Sequence, residues 1–208
     1  MTKSPRLLTA LAGLFLAASN VHASVSISWQ LANFLGSTGT AIPANSLGVI
    51  VADTANNGFA STSTATSSSL LNATLSIGSL IGADDKIVDI FQASSSGSGE
   101  GFLPGTKGYT YGAASITSGA FAPGDTLAIY WFPTILTIGS TVTANTPFGF
   151  FTSSTPNTAS GGDSGFVAPP DGSTLKSIYY FTTDLVPSSG IAPSTFRATQ
   201  TVVPEPST

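Results

Sequence analysis

The chain reads as all-β: a single antiparallel β-sandwich, jelly-roll-like, of roughly ten strands. Three observations predict this. Gly (22) and Pro (13) are abundant beside Ser and Thr, while charged residues make up only 8% of the 208 positions, so the polar helix formers Lys, Glu and Arg are nearly missing. Apolar residues recur in short alternating runs, the period of a strand with one buried face. Turn-forming residues separate those runs at short intervals. Ser-rich, weakly charged tracts also suit disordered linkers, but Phe, Ile, Leu and Val are spread along the whole chain and supply the apolar surface that disorder lacks. No repeat of fixed length supports a solenoid.

The clearest strand covers positions 24–31, where Val25, Ile27, Trp29 and Leu31 share one face and hydroxyls and an amide the other. Positions 71–77 repeat the pattern, with Leu71, Ala73, Leu75 and Ile77 pointing in and Asn72, Thr74 and Ser76 out. Further strands are expected at 47–52, 86–92, 109–116, 126–132, 136–143, 148–152 and 175–183. A last one follows Phe196, Ala198, Gln200 and Val202. Asn56-Asn57-Gly58, Pro123-Gly124-Asp125 and Pro169-Pro170-Asp171-Gly172 carry turn chemistry between strands. Three Ser/Gly-rich stretches, at 61–69, 94–101 and 153–165, read as long surface loops. The apolar run 127–139 is interrupted by Pro133 and rich in β-branched residues, which suits core strands rather than a membrane span.

The ends have a different character. Lys3 and Arg6 precede an apolar stretch of about a dozen residues, too short for the ~20 that cross a bilayer. Val21-His22-Ala23 then offers residues that a signal peptidase reads, which places a cut after Ala23. The expected organisation is a signal peptide at 1–23, a β-sandwich at 24–200 and a tail at 201–208. Removing the leader takes away His22, the only histidine, and the chain has no Cys. Lys86, Lys107, Lys176 and Arg197 then stand against ten acids, a net charge of −6. Four scattered cations cannot neutralise a run of phosphates, which disfavours nucleic acid and anionic membranes as partners.

The tail spells Val203-Pro204-Glu205-Pro206-Ser207 and resembles the start of the PEP-CTERM sorting signal of exported bacterial proteins. Val51-Ala52-Asp53-Thr54 with Asn57-Gly58-Phe59, and Ala122-Pro123-Gly124-Asp125-Thr126 with Tyr130-Trp131-Phe132-Pro133, are similar to segments of uncharacterised members of that family. The resemblance implies an exosortase-type processing enzyme as partner. It also implies delivery to the bacterial cell surface, outer membrane or extracellular polysaccharide matrix. In the family a hydrophobic helix and a basic cluster follow the Pro-Glu-Pro; here Thr208 stands where that helix is expected to begin.

Catalytic chemistry finds few residues. Gly162-Asp163-Ser164-Gly165 has the look of a serine-protease nucleophile loop, but the mature chain holds no histidine to take the serine proton. Carboxylates remain: Asp53, Asp84, Asp85, Asp89, Glu100, Asp125, Asp163, Asp171 and Asp184. Glu100, Asp125, Asp163 and Asp171 stand beside Gly or Pro, where capping a turn is the default. Asp84, Asp85 and Asp89 form the densest group, the residues that calcium would use or that a carboxylate-dependent glycan hydrolase would rely on. No other cofactor is expected, since a structural zinc site needs His or Cys. Trp29 and Trp131 share faces with aliphatics and are assigned to the core. Tyr130 and Tyr180 lie on mixed faces and are the residues through which a carbohydrate-binding module would contact polysaccharide. The sequon Asn72-Ala73-Thr74 falls inside an expected strand and is taken as incidental.

These readings converge on a non-enzymatic, structural or adhesive exported protein, with a carbohydrate-binding module and then a glycan hydrolase as the alternatives. Intact-mass analysis of the exported chain is expected to show an N-terminus at Ser24. A product that keeps residues 1–23 after export would overturn the leader assignment.

Overall fold

A computed structural model describes residues 24–40, 42–59, 70–93, 101–103, 106–110, 122–152, 165–170, 176–179 and 200–201. Among them the chain is sheet-rich and has no α-helix. The strands are β1 (Ser24–Phe34), β2 (Leu47–Asp53), β3 (Leu80–Ile81), β4 (Asp85–Gln92), β5 (Gly101–Leu103), β6 (Thr106–Thr110), β7 (Thr126–Phe132), β8 (Pro147–Phe151), β9 (Lys176–Tyr179) and β10 (Gln200–Thr201). The central sheet is a curled antiparallel array of five strands in the order β8-β7-β2-β4-β3, and β10 adds to the β8 edge. A second group forms around β1, which pairs antiparallel with β5 and β6. Its pairing with β9 is parallel, a departure from the all-antiparallel expectation.

The central sheet is buried on both faces. Every described residue of β2 is buried, as are all but Gln92 in β4 and all but Thr126 in β7. Antiparallel sheets usually keep one wetted face and a clean alternation of polar and apolar residues. Here Leu47-Gly48-Val49-Ile50-Val51-Ala52 and Leu127-Ala128-Ile129-Tyr130-Trp131-Phe132 are near-continuous apolar runs because each face has its own cover. On one face Ile50, Ala52, Ile129 and Trp131 cluster with Ile27, Trp29 and Phe34 of β1. On the other face Val49, Val51 and Tyr130 cluster with Leu70, Leu75 and Val142, which come from non-strand segments.

Those covering segments overturn two strand expectations. Positions 71–77 and 136–143 form turns and irregular backbone, joined by an isolated bridge at Thr74↔Thr141. They zip together through backbone bonds such as Asn72 N–H to Val142 O (2.9 Å), Leu75 N–H to Ser140 O (2.9 Å) and Gly139 N–H to Leu75 O (2.8 Å). The physical reason is backbone hand. Asn72 (φ 67°), Gly78 (φ 86°) and Gly139 (φ 86°) take the left-handed region, which breaks the alternation that a regular strand would keep. Ala73, Leu75 and Val142 still point into the core, whereas Ile77, Leu136 and Ile138 are exposed.

Three strands start by the same device. Pro43-Ala44-Asn45-Ser46, Ala122-Pro123-Gly124-Asp125 and Thr143-Ala144-Asn145-Thr146 each close a turn by a bond from the fourth N–H to the first carbonyl. In each the third residue has positive φ, as a type II turn requires: Asn45 67°, Gly124 92° and Asn145 62°. The fourth residue, Ser46, Asp125 or Thr146, is polar and buried, and the strand follows.

Within the sheet, β4 carries a bulge. Asp89 lies opposite Ile50 but Ile87 lies opposite Val51, so Val88 is the extra residue. Side chains three apart thereby share a face: Ile87 and Ile90 join one cluster, Val88 and Phe91 the other. Across the sheet, one row on the β1-facing side reads Phe91, Gly48, Trp131, Gly149 on β4, β2, β7 and β8. The rings fold over the glycines. A methyl at Gly48 would meet the Phe91 ring at 1.9 Å, and one at Gly149 would meet Trp131 at 2.0 Å. Phe34 of β1 stacks over the row, 5.6 Å from Phe91 and 5.2 Å from Trp131, and the Trp131 indole N–H donates to Leu35 O at 3.1 Å.

Gly149→Ala is expected to destabilise the protein by about 1–3 kcal/mol through overpacking, although Ala suits strands better than Gly. Trp131→Ala is expected to cost about 3–5 kcal/mol by leaving a cavity between β1 and the central sheet. Chemical denaturation of both variants checks this; a Gly149→Ala protein as stable as wild type would show that the ring has room to move.

Candidate functional site

The acidic residues gather at one end of the central sheet, where β2 leaves and β4 and β7 enter. The register places Asp53 directly between Asp85 of β4 and Thr126 of β7. Asp53, Asp85 and Asp125 are all buried, and Asp84 is partly so. An ion in an apolar environment loses its hydration, and at Asp53, Asp84 and Asp125 hydrogen bonds offset that loss.

The partners come from the turn after β2. Asp53 Oδ2 accepts from Gly58 N–H at 2.7 Å and its Oδ1 from Asn57 N–H at 3.2 Å. The Asn57 side chain donates to Asp84 Oδ2 at 2.7 Å, and Thr54 Oγ1 donates to Asp84 O at 2.7 Å. Asp125 Oδ2 accepts from Ala122 N–H at 2.7 Å, bracing the turn that opens β7. The Asn56 side chain also hydrogen-bonds Asp125. Asn56 (φ 54°) and Gly58 (φ 92°) supply the left-handed backbone that wraps the turn around these carboxylates. The turn then delivers Phe59 to the core, edge-on to Phe150 at 5.9 Å. The arrangement is a loop clamp: three carboxylates hold the one turn that steers Phe59.

Burial raises the pKa of Asp125 above 3.8; the Ala122 and Asn56 hydrogen bonds act against that shift, and the neighbouring Asp53 charge acts with it. Lys86, buried near the start of β4, has its pKa lowered from 10.5 by desolvation. Across the central sheet it lies opposite Ala52, on the β1-facing side.

The acids at 84, 85 and 89 do not converge. Asp84 bonds the turn, Asp85 lies opposite Asp53, and Asp89 is one bulge further along, opposite Ile50 with its Oδ1 accepting from Ile90 N–H at 2.8 Å. Asp85 and Asp89 thus face opposite sides of β4. No group of three or more His, Cys, Asp or Glu that could hold a metal occurs among the described residues. Asp84, Asp85 and Asp89 therefore do not form the expected calcium set.

Tyr130 is a second correction. It is 0% exposed, packed at 4.9 Å from Phe150 and 6.2 Å from Phe148, because the segments 70–78 and 135–142 cover the face that a two-layer reading leaves to solvent. It therefore cannot touch a polysaccharide. Tyr180, Ala23 and the tail residues Val203, Pro204, Glu205, Pro206 and Ser207 lie outside the described residues, as do most of the three Ser/Gly-rich stretches. Trp29 and Trp131 are buried as expected, and the turns at Asn56-Asn57-Gly58 and Pro123-Gly124-Asp125 form.

Turn capping by Asp125, which follows Gly124, matches its sequence context. Asp53 stands between Ala52 and Thr54, and its capping of Asn57 and Gly58 is a finding of the structure. The Asn57–Asp84 and Asn56–Asp125 links carry only a faint signal in the string Asp53-Thr54-Ala55-Asn56-Asn57-Gly58, since the partners stand about thirty and seventy positions away. No helix of the described residues is long and apolar enough to cross a membrane. Comparison with known proteins returns no match to a family model, a curated protein or a solved structure.

Asp53→Ala removes two hydrogen bonds to a charged acceptor and is expected to cost about 3 kcal/mol, with Asp53→Asn milder because one acceptor oxygen remains. Asp125 gives a pH signature. Its proton is held more tightly in the folded than in the unfolded chain, so its contribution to stability is full below pH 3.8 and is lost as the pH rises through its raised value. Urea denaturation across that range should show wild type losing stability relative to Asp125→Asn as the pH rises. A difference independent of pH would remove the assignment.

Proposed function

We propose that this is an exported, non-enzymatic protein of structural or adhesive type, displayed at the bacterial surface or held in extracellular polysaccharide. In this reading residues 24–200 form one sandwich of roughly ten strands, jelly-roll-like, and the tail is the substrate of an exosortase-type enzyme. The observation that carries the proposal is the pairing of a leader at 1–23 with the Val-Pro-Glu-Pro-Ser motif at 203–207 on a chain of sparsely charged, net acidic, β-rich composition. Two features of the fold support it. The ten strands fall in two groups, and Ile27, Trp29 and Phe34 of β1 share one core cluster with residues of the central sheet. Asp53, Asp84 and Asp125 are engaged in holding a turn, a structural use of the residue class on which hydrolysis would depend.

The test is location. In a host with an active exosortase, the protein is expected in the cell-surface or matrix fraction, and a Pro204→Ala/Glu205→Ala/Pro206→Ala variant is expected to lose that retention while folding normally. An identical distribution of the two proteins would sink the sorting assignment.

A further inference from the structure

Asn57-Gly58 is the only Asn-Gly pair in the chain, and it lies in the exposed part of the turn after β2. An asparagine is chemically labile when glycine follows it, because no Cβ hinders the next backbone nitrogen from reaching the side-chain carbonyl carbon. Nothing lies within 4 Å of the position that a Cβ of Gly58 would take, so water reaches this peptide. Two carboxylates restrain the reacting groups. Gly58 N–H donates to buried Asp53 Oδ2 at 2.7 Å, and the Asn57 side-chain amide donates to Asp84 Oδ2 at 2.7 Å. A negative charge beside the Gly58 N–H opposes loss of its proton, and a second beside the amide opposes an anionic tetrahedral intermediate. The first bond is partly buried, whereas the second is exposed and opens readily against water.

We propose that Asn57-Gly58 is a deamidation site gated by this clamp, and that the reaction releases the turn irreversibly. When the clamp opens, the Gly58 nitrogen attacks Asn57 Cγ. The N–Cγ bond forms, the Cγ–Nδ2 bond breaks, and ammonia leaves with the proton that the Gly58 nitrogen gives up. Water then opens the succinimide ring at either carbonyl and leaves an aspartyl or isoaspartyl residue at position 57. Both products lose the donor to Asp84 and set a carboxylate against it instead, where like charges repel. The isoaspartyl product also lengthens the backbone by a methylene before Gly58, which draws Gly58 N–H away from Asp53. Phe59, the next residue, is buried and edge-on to Phe150, so a displaced turn unseats a core ring. None of this depends on where the protein resides.

Peptide mapping by mass spectrometry, on the full chain incubated in mildly alkaline buffer, measures conversion at Asn57. Folded wild type should convert far more slowly than the same chain in urea. Asp84→Ala should convert about tenfold faster than folded wild type, the effect of losing one hydrogen bond to a charged acceptor. Asp84→Asn, which keeps an acceptor oxygen, should fall between the two. Asn45, which precedes buried Ser46, is the internal control and should convert no faster in the variants. Asn57→Asp should melt lower than Asn57→Ala, and Asp84→Ala should abolish that difference, since only the charge at position 57 creates it. Equal conversion of folded and unfolded wild type, a wild-type rate in Asp84→Ala, a rise at Asn45 in step with Asn57, or an Asn57→Asp protein as stable as Asn57→Ala would each overturn the proposal.

Discussion

Trp131 lying flat over Gly149, with Phe91 over Gly48 in the same row, is the contact on which the rest of the structure depends. Large and small residues alternate across four strands, so the rings lie along the sheet surface and leave a seat for Phe34 between them. A side chain at either glycine would lift its ring and push β1 away from the central sheet. The Trp131 indole N–H, bonded to Leu35 O, fixes where β1 ends. Aromatic packing of this kind contributes both buried area and a preferred geometry, and here the geometry sets the distance between the two strand groups.

Closing that face leaves the other face of the sheet equally apolar, and the fold solves this with irregular backbone rather than with more strands. The segments 70–79 and 133–146 bond each other and drop Leu70, Leu75 and Val142 onto Val49, Val51 and Tyr130. Their left-handed Asn and Gly residues let them follow a curved surface that a regular strand would bridge. The outward aliphatics Ile77, Leu136 and Ile138 are the consequence of placing apolar segments in a layer only one residue thick.

At the end of the sheet the same economy governs the acids. Asp53, Asp84 and Asp125 are gathered by register and by one turn; Asp53 and Asp84 accept from N–H groups of that turn, and Asp125 bonds its Asn56 side chain while accepting from Ala122 N–H. The bulge at Val88 keeps Asp89 apart by changing which residues of β4 share a face. A cluster of carboxylates in sequence thus becomes separate structural roles in space.

Residues near one another in the chain made much of this readable. Alternation at Ile27 and Trp29, the apolar run of 126–132, and the turns at Asn56-Asn57-Gly58 and Pro123-Gly124-Asp125 follow from local backbone preference and pattern, and composition alone pointed to β structure. The sequence by itself determined the strand-rich class, the core role of both tryptophans and the capping use of Asp125 beside Gly124. Tertiary structure decided the rest. It buried Tyr130, because a second cover arrives from 70–78 and 135–142; it dissolved two expected strands into that cover; and it divided Asp85 from Asp89 with a one-residue bulge. Each of these depends on contacts between distant positions, where periodicity of two says which residues share a face but not how many faces the fold will bury.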